Sequence, residues 1–152
     1  MLFRSDRIGH GTHLFDTGLV DLPTEEEKGK YVRALWQYIA DRRITIEVCL
    51  TSNLQTMPHI NDLAHHPAAQ MLDDRLSVTF CTDNRLISHT EATDELVLAV
   101  THFPISARRL KDIVIYGFKR SFYPGDYLEK RKYIRGIIDY YEAMEKKHGI
   151  VR

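Results

Sequence analysis

No charge of either sign predominates in this 152-residue chain: lysine plus arginine and aspartate plus glutamate each number 21. That balance excludes the electrostatic footprint of a nucleic-acid binder or of a protein that settles on an anionic membrane. Long apolar runs are missing too. None approaches the roughly 18 residues of a spanning helix, and the opening Met1-Leu2-Phe3-Arg4-Ser5-Asp6 does not read as a signal peptide. Only two cysteines are present, Cys49 and Cys81. They lack the close spacing of a thiolate zinc site or a Cys-x-x-Cys redox pair, so they read as buried apolar filler in a reducing, cytoplasmic setting. There is no internal repeat and no low-complexity linker. The length fits one ordinary domain or a piece of a larger one.

What is present is an alternation of short apolar strands with longer amphipathic helices. A first strand is predicted over Arg7 to His10. Thr24 and Glu27, with Pro23 ahead of them, have capping-box spacing. The helix that follows, to about Arg42, carries Val32, Leu35, Trp36 and Ile39 on one stripe. The second strand, Ile44 to Leu50, puts Ile44, Ile46, Val48 and Leu50 on one face and Thr45, Glu47 and Cys49 on the other. A helix near Pro67 to Asp74 leads to a third strand, Leu76 to Asp83, with Ser77, Thr79, Cys81 and Asp83 sharing a polar-leaning face. Beyond it the pattern is helical. Ser88 and Glu91 repeat the capping-box spacing, and apolar stripes run through Leu110, Ile113, Val114, Gly117 and Phe118 and then through Ile134, Ile137, Ile138, Tyr141 and Met144.

Strands separated by helices imply a parallel α/β sheet. Three strands alone leave both edges open, which invites pairing with another chain or with a second copy. An open α/β sandwich is one reading. A partial (β/α)8 barrel explains the open edges better, because a whole barrel needs eight strands and about 250 residues.

In a barrel, chemistry sits at the carboxyl ends of strands, and two such ends carry reactive side chains. In Arg7-Ile8-Gly9-His10-Gly11-Thr12-His13, His10 lies between glycines that allow a sharp turn. It is a candidate metal ligand, proton shuttle or orienting group, against a plain loop histidine. In Thr79-Phe80-Cys81-Thr82-Asp83-Asn84-Arg85, Asp83 is either a metal ligand or the cap of the next helix; a carboxylate buried there alone would be costly. The second strand ends in Thr51-Ser52-Asn53, which supplies hydroxyl and amide groups to the same rim or simply makes a turn. His65-His66-Pro67 looks like a metal clip but reads better as a loop. His59, His89, His102 and His148 show no ligand spacing.

Taken together, Arg7-Ile8-Gly9-His10-Gly11, Glu47-Val48-Cys49-Leu50-Thr51-Ser52-Asn53, His66-Pro67 and Thr82-Asp83-Asn84 resemble, in order and spacing, the carboxyl-terminal part of the adenosine deaminase family of zinc hydrolases. The resemblance covers nearly the whole chain as one unit, residues 1–152. It implies the last three βα units of a (β/α)8 barrel plus terminal helices. It further implies that Asp83 is a zinc ligand that touches the attacking water, that His10 orients or deprotonates that water and stabilises charge, and that Asn84 hydrogen-bonds a purine ring nitrogen. Zinc would lower the water's pKa to about 7 for attack on the purine C6, giving inosine and ammonia from adenosine.

Two departures qualify the resemblance. Asn84 stands where many family members have a second aspartate; it keeps a donor and an acceptor but no charge. The family's His-x-His, and its histidine and glutamate near the fifth strand, have no counterpart here. Asp83 and His10 cannot hold a catalytic zinc by themselves, so this chain alone is expected to be inactive, with a separate amino-terminal barrel portion as its partner. Two other readings stand beside this one: a non-catalytic half-barrel that pairs with a second half or with itself, and a deaminase of adenine or a modified nucleoside.

Overall fold

A computed structural model describes residues 6–150; Met1 to Ser5, read above as no part of a signal peptide, lie outside the described residues. Three strands, β1 (Arg7–Gly9), β2 (Thr45–Val48) and β3 (Ser77–Phe80), form one parallel sheet in the order β1-β2-β3. The register sets Ile8, Ile46 and Val78 abreast, and likewise Gly9, Glu47 and Thr79. Successive side chains alternate between faces, so Val48 and Phe80 join the first row's face and Arg7, Thr45 and Ser77 join the second's. The expected face assignments within the strands hold. β3, however, ends at Phe80, so strand parity does not extend to Asp83, and Cys49 and Cys81 lie one step beyond their strands.

The apolar face is the centre of the core. Ile46, Val48 and Val78 have no exposed surface, and each contributes about 1.5–3 kcal/mol through burial. They pack with Ile39 from α1 (Glu25–Asp41), Met71 from α3 (Ala68–Asp73), and Ala99 from α5 (Ala92–His102) with the adjoining Phe103. Phe80 stacks on Phe103 with ring centroids 6.3 Å apart.

Local signals explain where these helices begin. Thr24 and Glu27 close the expected capping box on α1, each accepting from the other's backbone N–H at 3.2 Å. Glu25, Glu26 and Glu27 all fall in its positive first turn. The second expected box moves: Ser88 ends the one-turn helix α4 (Arg85–Ser88), and α5 is capped instead by Glu91 with Asp94. Two further helices follow, α6 (Ala107–Lys119) and α7 (Tyr127–Lys147). Lys111 ties them together, donating to Glu142 at 2.7 Å.

The polar face of the sheet, expected to suit a barrel interior, is in part covered by α6. A Cβ built on Gly117 would come within 2.8 Å of the Thr79 Oγ1. Arg7 and Glu47 pair on the same face, and the Arg7 guanidinium lies 4.8 Å from the centre of the Phe122 ring. The outer edges of β1 and β3 pair with no strand among the described residues.

Candidate functional site

The carboxyl ends of the three strands meet around α2 (Leu50–Thr56), which starts directly after β2. The turn after β1 is unusual: His10 and Gly11 both adopt left-handed backbone conformations, with φ of 57° and 64°. Gly11 is required here. A Cβ at that position would meet Ile46 Cγ2 at 2.8 Å and Met71 Cε at 3.2 Å, whereas His10 tolerates the strained φ because its N–H is held by the Glu47 carbonyl at 2.7 Å.

Two adjacent residues of α2 gather the site. Ser52 Oγ donates to Asp83 Oδ2 at 2.8 Å, and Asn53 Nδ2 lies 3.0 Å from His10 Nδ1. His10 and Asp83 are therefore brought to one rim, joined through α2 rather than through each other. The Thr51-Ser52-Asn53 segment, expected where the second strand stops, stands instead inside α2, and it still supplies a hydroxyl and an amide to the rim. Its Ser52 and Asn53 are almost fully buried, at 4% and 2% exposure.

His66 completes a chain of hydrogen bonds whose direction is determined. The Ala68 backbone N–H donates to His66 Nδ1 at 3.0 Å, so that nitrogen carries no proton. Burial pushes the His66 pKa down to about 4, so at neutral pH the ring is uncharged and its proton sits on Nε2. Nε2–H donates to Asn53 Oδ1 at 3.2 Å. The Asn53 amide nitrogen is then turned toward His10 and donates to its Nδ1, and a neutral His10 must carry its proton on Nε2. His65 and His66 do not form a metal clip. His65 points outward to Asp62, with Nδ1 and Oδ1 2.8 Å apart, while His66 is 1% exposed.

Asn84 sits at the rim, exposed, as the N-cap of α4; its Oδ1 accepts from the N–H groups of Leu86 and Ile87 at 3.1 and 3.2 Å. Capping thus falls to Asn84 and not to Asp83. Glu95, which carried no sequence signal, has no exposed surface; it accepts from Thr90 Oγ1 at 3.1 Å and from the Thr51 N–H at 3.3 Å. It stands in for the side-chain cap that α2 lacks. His13 lies away from this network, its ring 5.2 Å from that of His59.

Cys49 and Cys81 are in contact, Sγ to Sγ, at 3.6 Å. The hydrogen bond between them holds the Cys81 thiol below its usual range. The same contact, reinforced by burial, pushes Cys49 up. Among the described residues no group of three or more His, Cys, Asp or Glu side chains could hold a metal ion. The described residues therefore do not make up a zinc site, which needs three or four protein ligands. Asp83, an exposed carboxylate oriented by a hydroxyl, fits the part of one such ligand.

The family model described as adenosine deaminase matches residues 1–140. The chain belongs to this family. The adenosine deaminase 1 of Streptomyces coelicolor is 32% identical over 122 residues, covering 80% of this chain and 30% of that protein. An adenosine deaminase of Mycobacterium sp. strain KMS is 34% identical over the same length, covering 80% of this chain and 32% of that protein. This family member thus spans about a third of the length of the curated relatives it matches. The apo structure of the N6-methyl-AMP deaminase from Arabidopsis thaliana superposes with a TM-score of 0.63 at 24% identity, covering 89% of this chain and 34% of that one. That likeness carries the fold: this family member is α/β and has the architecture of part of a deaminase barrel.

Proposed function

We propose that this chain supplies, as one unit, the last three βα units and terminal helices of a zinc-dependent barrel that hydrolytically deaminates adenosine. The observation that carries the reading is the rim built by α2, in which Ser52 orients Asp83 beyond the end of β3 and Asn53 orients His10 at the end of β1, on either side of β2. Family membership supports deamination as its chemistry. The balanced reaction adds a water oxygen to the purine C6, breaks the bond from C6 to the exocyclic nitrogen, and releases ammonia with the 6-oxo purine.

Zinc, when bound, would lower the pKa of a water to about 7 and so make a nucleophile available at neutral pH. Within this chain, Asp83 offers one carboxylate, and the Ser52 hydroxyl holds its Oδ2. His10 faces the reaction through Nε2–H. In that tautomer it donates to the oxygen that gains charge as C6 becomes tetrahedral, a role that preorganised donors perform at small cost. Of orienting and deprotonating, the orienting role is the one the hydrogen-bond direction supports. Asn84 Nδ2 would meet an acceptor nitrogen of the purine. The other metal ligands, and the acid that protonates the ring, come from residues outside this chain, and the isolated chain is inactive.

A second reading concerns the substrate. The structural relatives include an N6-methyl-AMP deaminase and the same Arabidopsis fold complexed with IMP, so a modified purine is the competing substrate in any assay. A third takes the unpaired edges of β1 and β3 as docking edges for a separate barrel half or for a second copy. The cytoplasm is the setting that purine turnover implies. No helix among the described residues is long and apolar enough to cross a membrane.

The test uses the completed barrel containing these residues. Asp83→Ala should remove bound zinc and turnover together. His10→Ala should leave zinc in place and lower kcat by two to four orders of magnitude, roughly the share of a single positioned group. Full zinc affinity in the Asp83 variant would overturn the ligand assignment.

A further inference from the structure

The two cysteines occupy equivalent positions on neighbouring strands. Val48 and Phe80 are register partners in β2 and β3, so Cys49 and Cys81 are the next pair along. The Cys81 N–H donates to the Val48 carbonyl at 3.0 Å, so the ladder continues to this point. Neighbouring strands lie about 4.7–4.9 Å apart, within the Cα separations of about 4.4–6.8 Å that a disulfide spans. The Sγ atoms are already 3.6 Å apart. A disulfide needs about 2.05 Å between the sulfurs, so the pair has about 1.5 Å left to close. Cys49 is 6% exposed, whereas Cys81 lines a cavity of about 440 Å³ together with Arg7, Glu47, Thr79 and Phe118.

We propose that Cys49 and Cys81 are a thiol-redox modification site: a low-molecular-weight disulfide oxidises them to an intramolecular disulfide that staples the ends of β2 and β3. The geometry sets the order of events. Cys81, reached through the cavity, attacks one sulfur of the reagent as the thiolate; the reagent's S–S bond breaks, one thiol leaves, and a mixed disulfide forms on Cys81. The Cys49 sulfur then attacks the Cys81 sulfur, forming the Cys49–Cys81 bond and expelling the second thiol. Two electrons pass from the protein to the reagent, and the two protons lost by the cysteines end on the released thiols. The bond ties the segment that carries Ser52 and Asn53 to the segment that carries Asp83. It does not depend on the proposed deaminase activity, because it involves only these two strand ends.

The experiment treats the 152-residue chain with oxidised glutathione over a range of ratios to reduced glutathione, under folding conditions and in strong denaturant. The expected product of the folded chain is lighter by two hydrogen atoms, retains no glutathione, yields a linked Cys49–Cys81 peptide on digestion, and reverts with dithiothreitol. Folding should raise the effective concentration of one thiol for the other at least about tenfold over the denatured chain. Cys49→Ser should instead accumulate one glutathione on Cys81, and Cys81→Ser should react more slowly than Cys49→Ser. Mixed disulfides that persist on the folded unmodified chain, bridges between molecules, or no more bridging in the folded than in the denatured chain would each overturn the proposal.

Discussion

Asn53 is the residue on which the candidate site turns, and substituting it separates geometry from hydrogen-bond direction. Asn53→Asp keeps the shape but offers acceptors only. His66 Nε2–H can still donate to it. The other oxygen, however, now faces His10 Nδ1, originally 3.0 Å from the amide nitrogen, and a stable arrangement requires a proton on that nitrogen. The neutral His10 tautomer should therefore reverse. Asn53→Ala removes both hydrogen bonds. Each is worth about 0.5–1.5 kcal/mol net, and the buried His66 Nε2–H left without a partner costs about 1–3 kcal/mol more, for a total of about 2–6 kcal/mol in urea unfolding. Long-range proton–nitrogen correlation spectra of the imidazole rings read the tautomers directly. The unmodified chain should show His10 protonated on Nε2 and the Asp variant on Nδ1. A proton on His10 Nδ1 in the unmodified chain, or no change on substitution, would refute the assignment of direction through His66 and Asn53.

Three other substitutions test the surrounding structure. Gly11→Ala must accept φ of 64° and a 2.8 Å contact with Ile46, and should lose about 2–4 kcal/mol from left-handed strain plus overpacking, measured by denaturant unfolding. His66 has its pKa lowered from 6.5 to about 4 by burial. Between those values the unfolded chain binds a proton that the folded chain refuses, so stability should fall as pH drops from about 6.5 to 4, by up to about 3 kcal/mol; His66→Asn should remove that part of the slope. Gly117→Ala gains about 1 kcal/mol of helix propensity but drives its Cβ against Thr79, at a cost of about 1–3 kcal/mol. It should be destabilising alone and close to neutral or stabilising when combined with Thr79→Ala.

The parts of this fold that were legible in the sequence rest on local physics. The Thr24–Glu27 box, the strand faces and the stripe through Val32 and Ile39 depend on neighbours one to four residues apart. The Ser88–Glu91 spacing misled because Glu91 and Asp94 form an equally good box three residues later, and only the one-turn helix α4 decides between them. Period-two counting sets Asp83 on the face of Ser77, Thr79 and Cys81, and it fails because β3 ends at Phe80. Long-range partners were not legible. His66 meets Asn53 across 13 residues, Cys81 meets Cys49 across 32, and Glu95 caps α2 from 44 residues away. Placing His10, Asp83 and Asn53 at one rim came from the order of the strand ends; the direction of the proton through them required the side-chain geometry.

The central claim is that this chain carries one part of a divided zinc site, with Asp83 and His10 present and the other ligands elsewhere. The most direct measurement is zinc content and adenosine-to-inosine turnover of the 152-residue chain, alone and after co-expression with the amino-terminal two-thirds of a family adenosine deaminase. The account predicts neither stoichiometric zinc nor turnover for the chain alone, and both only when the barrel is completed. Clear adenosine deamination by the chain alone would contradict it.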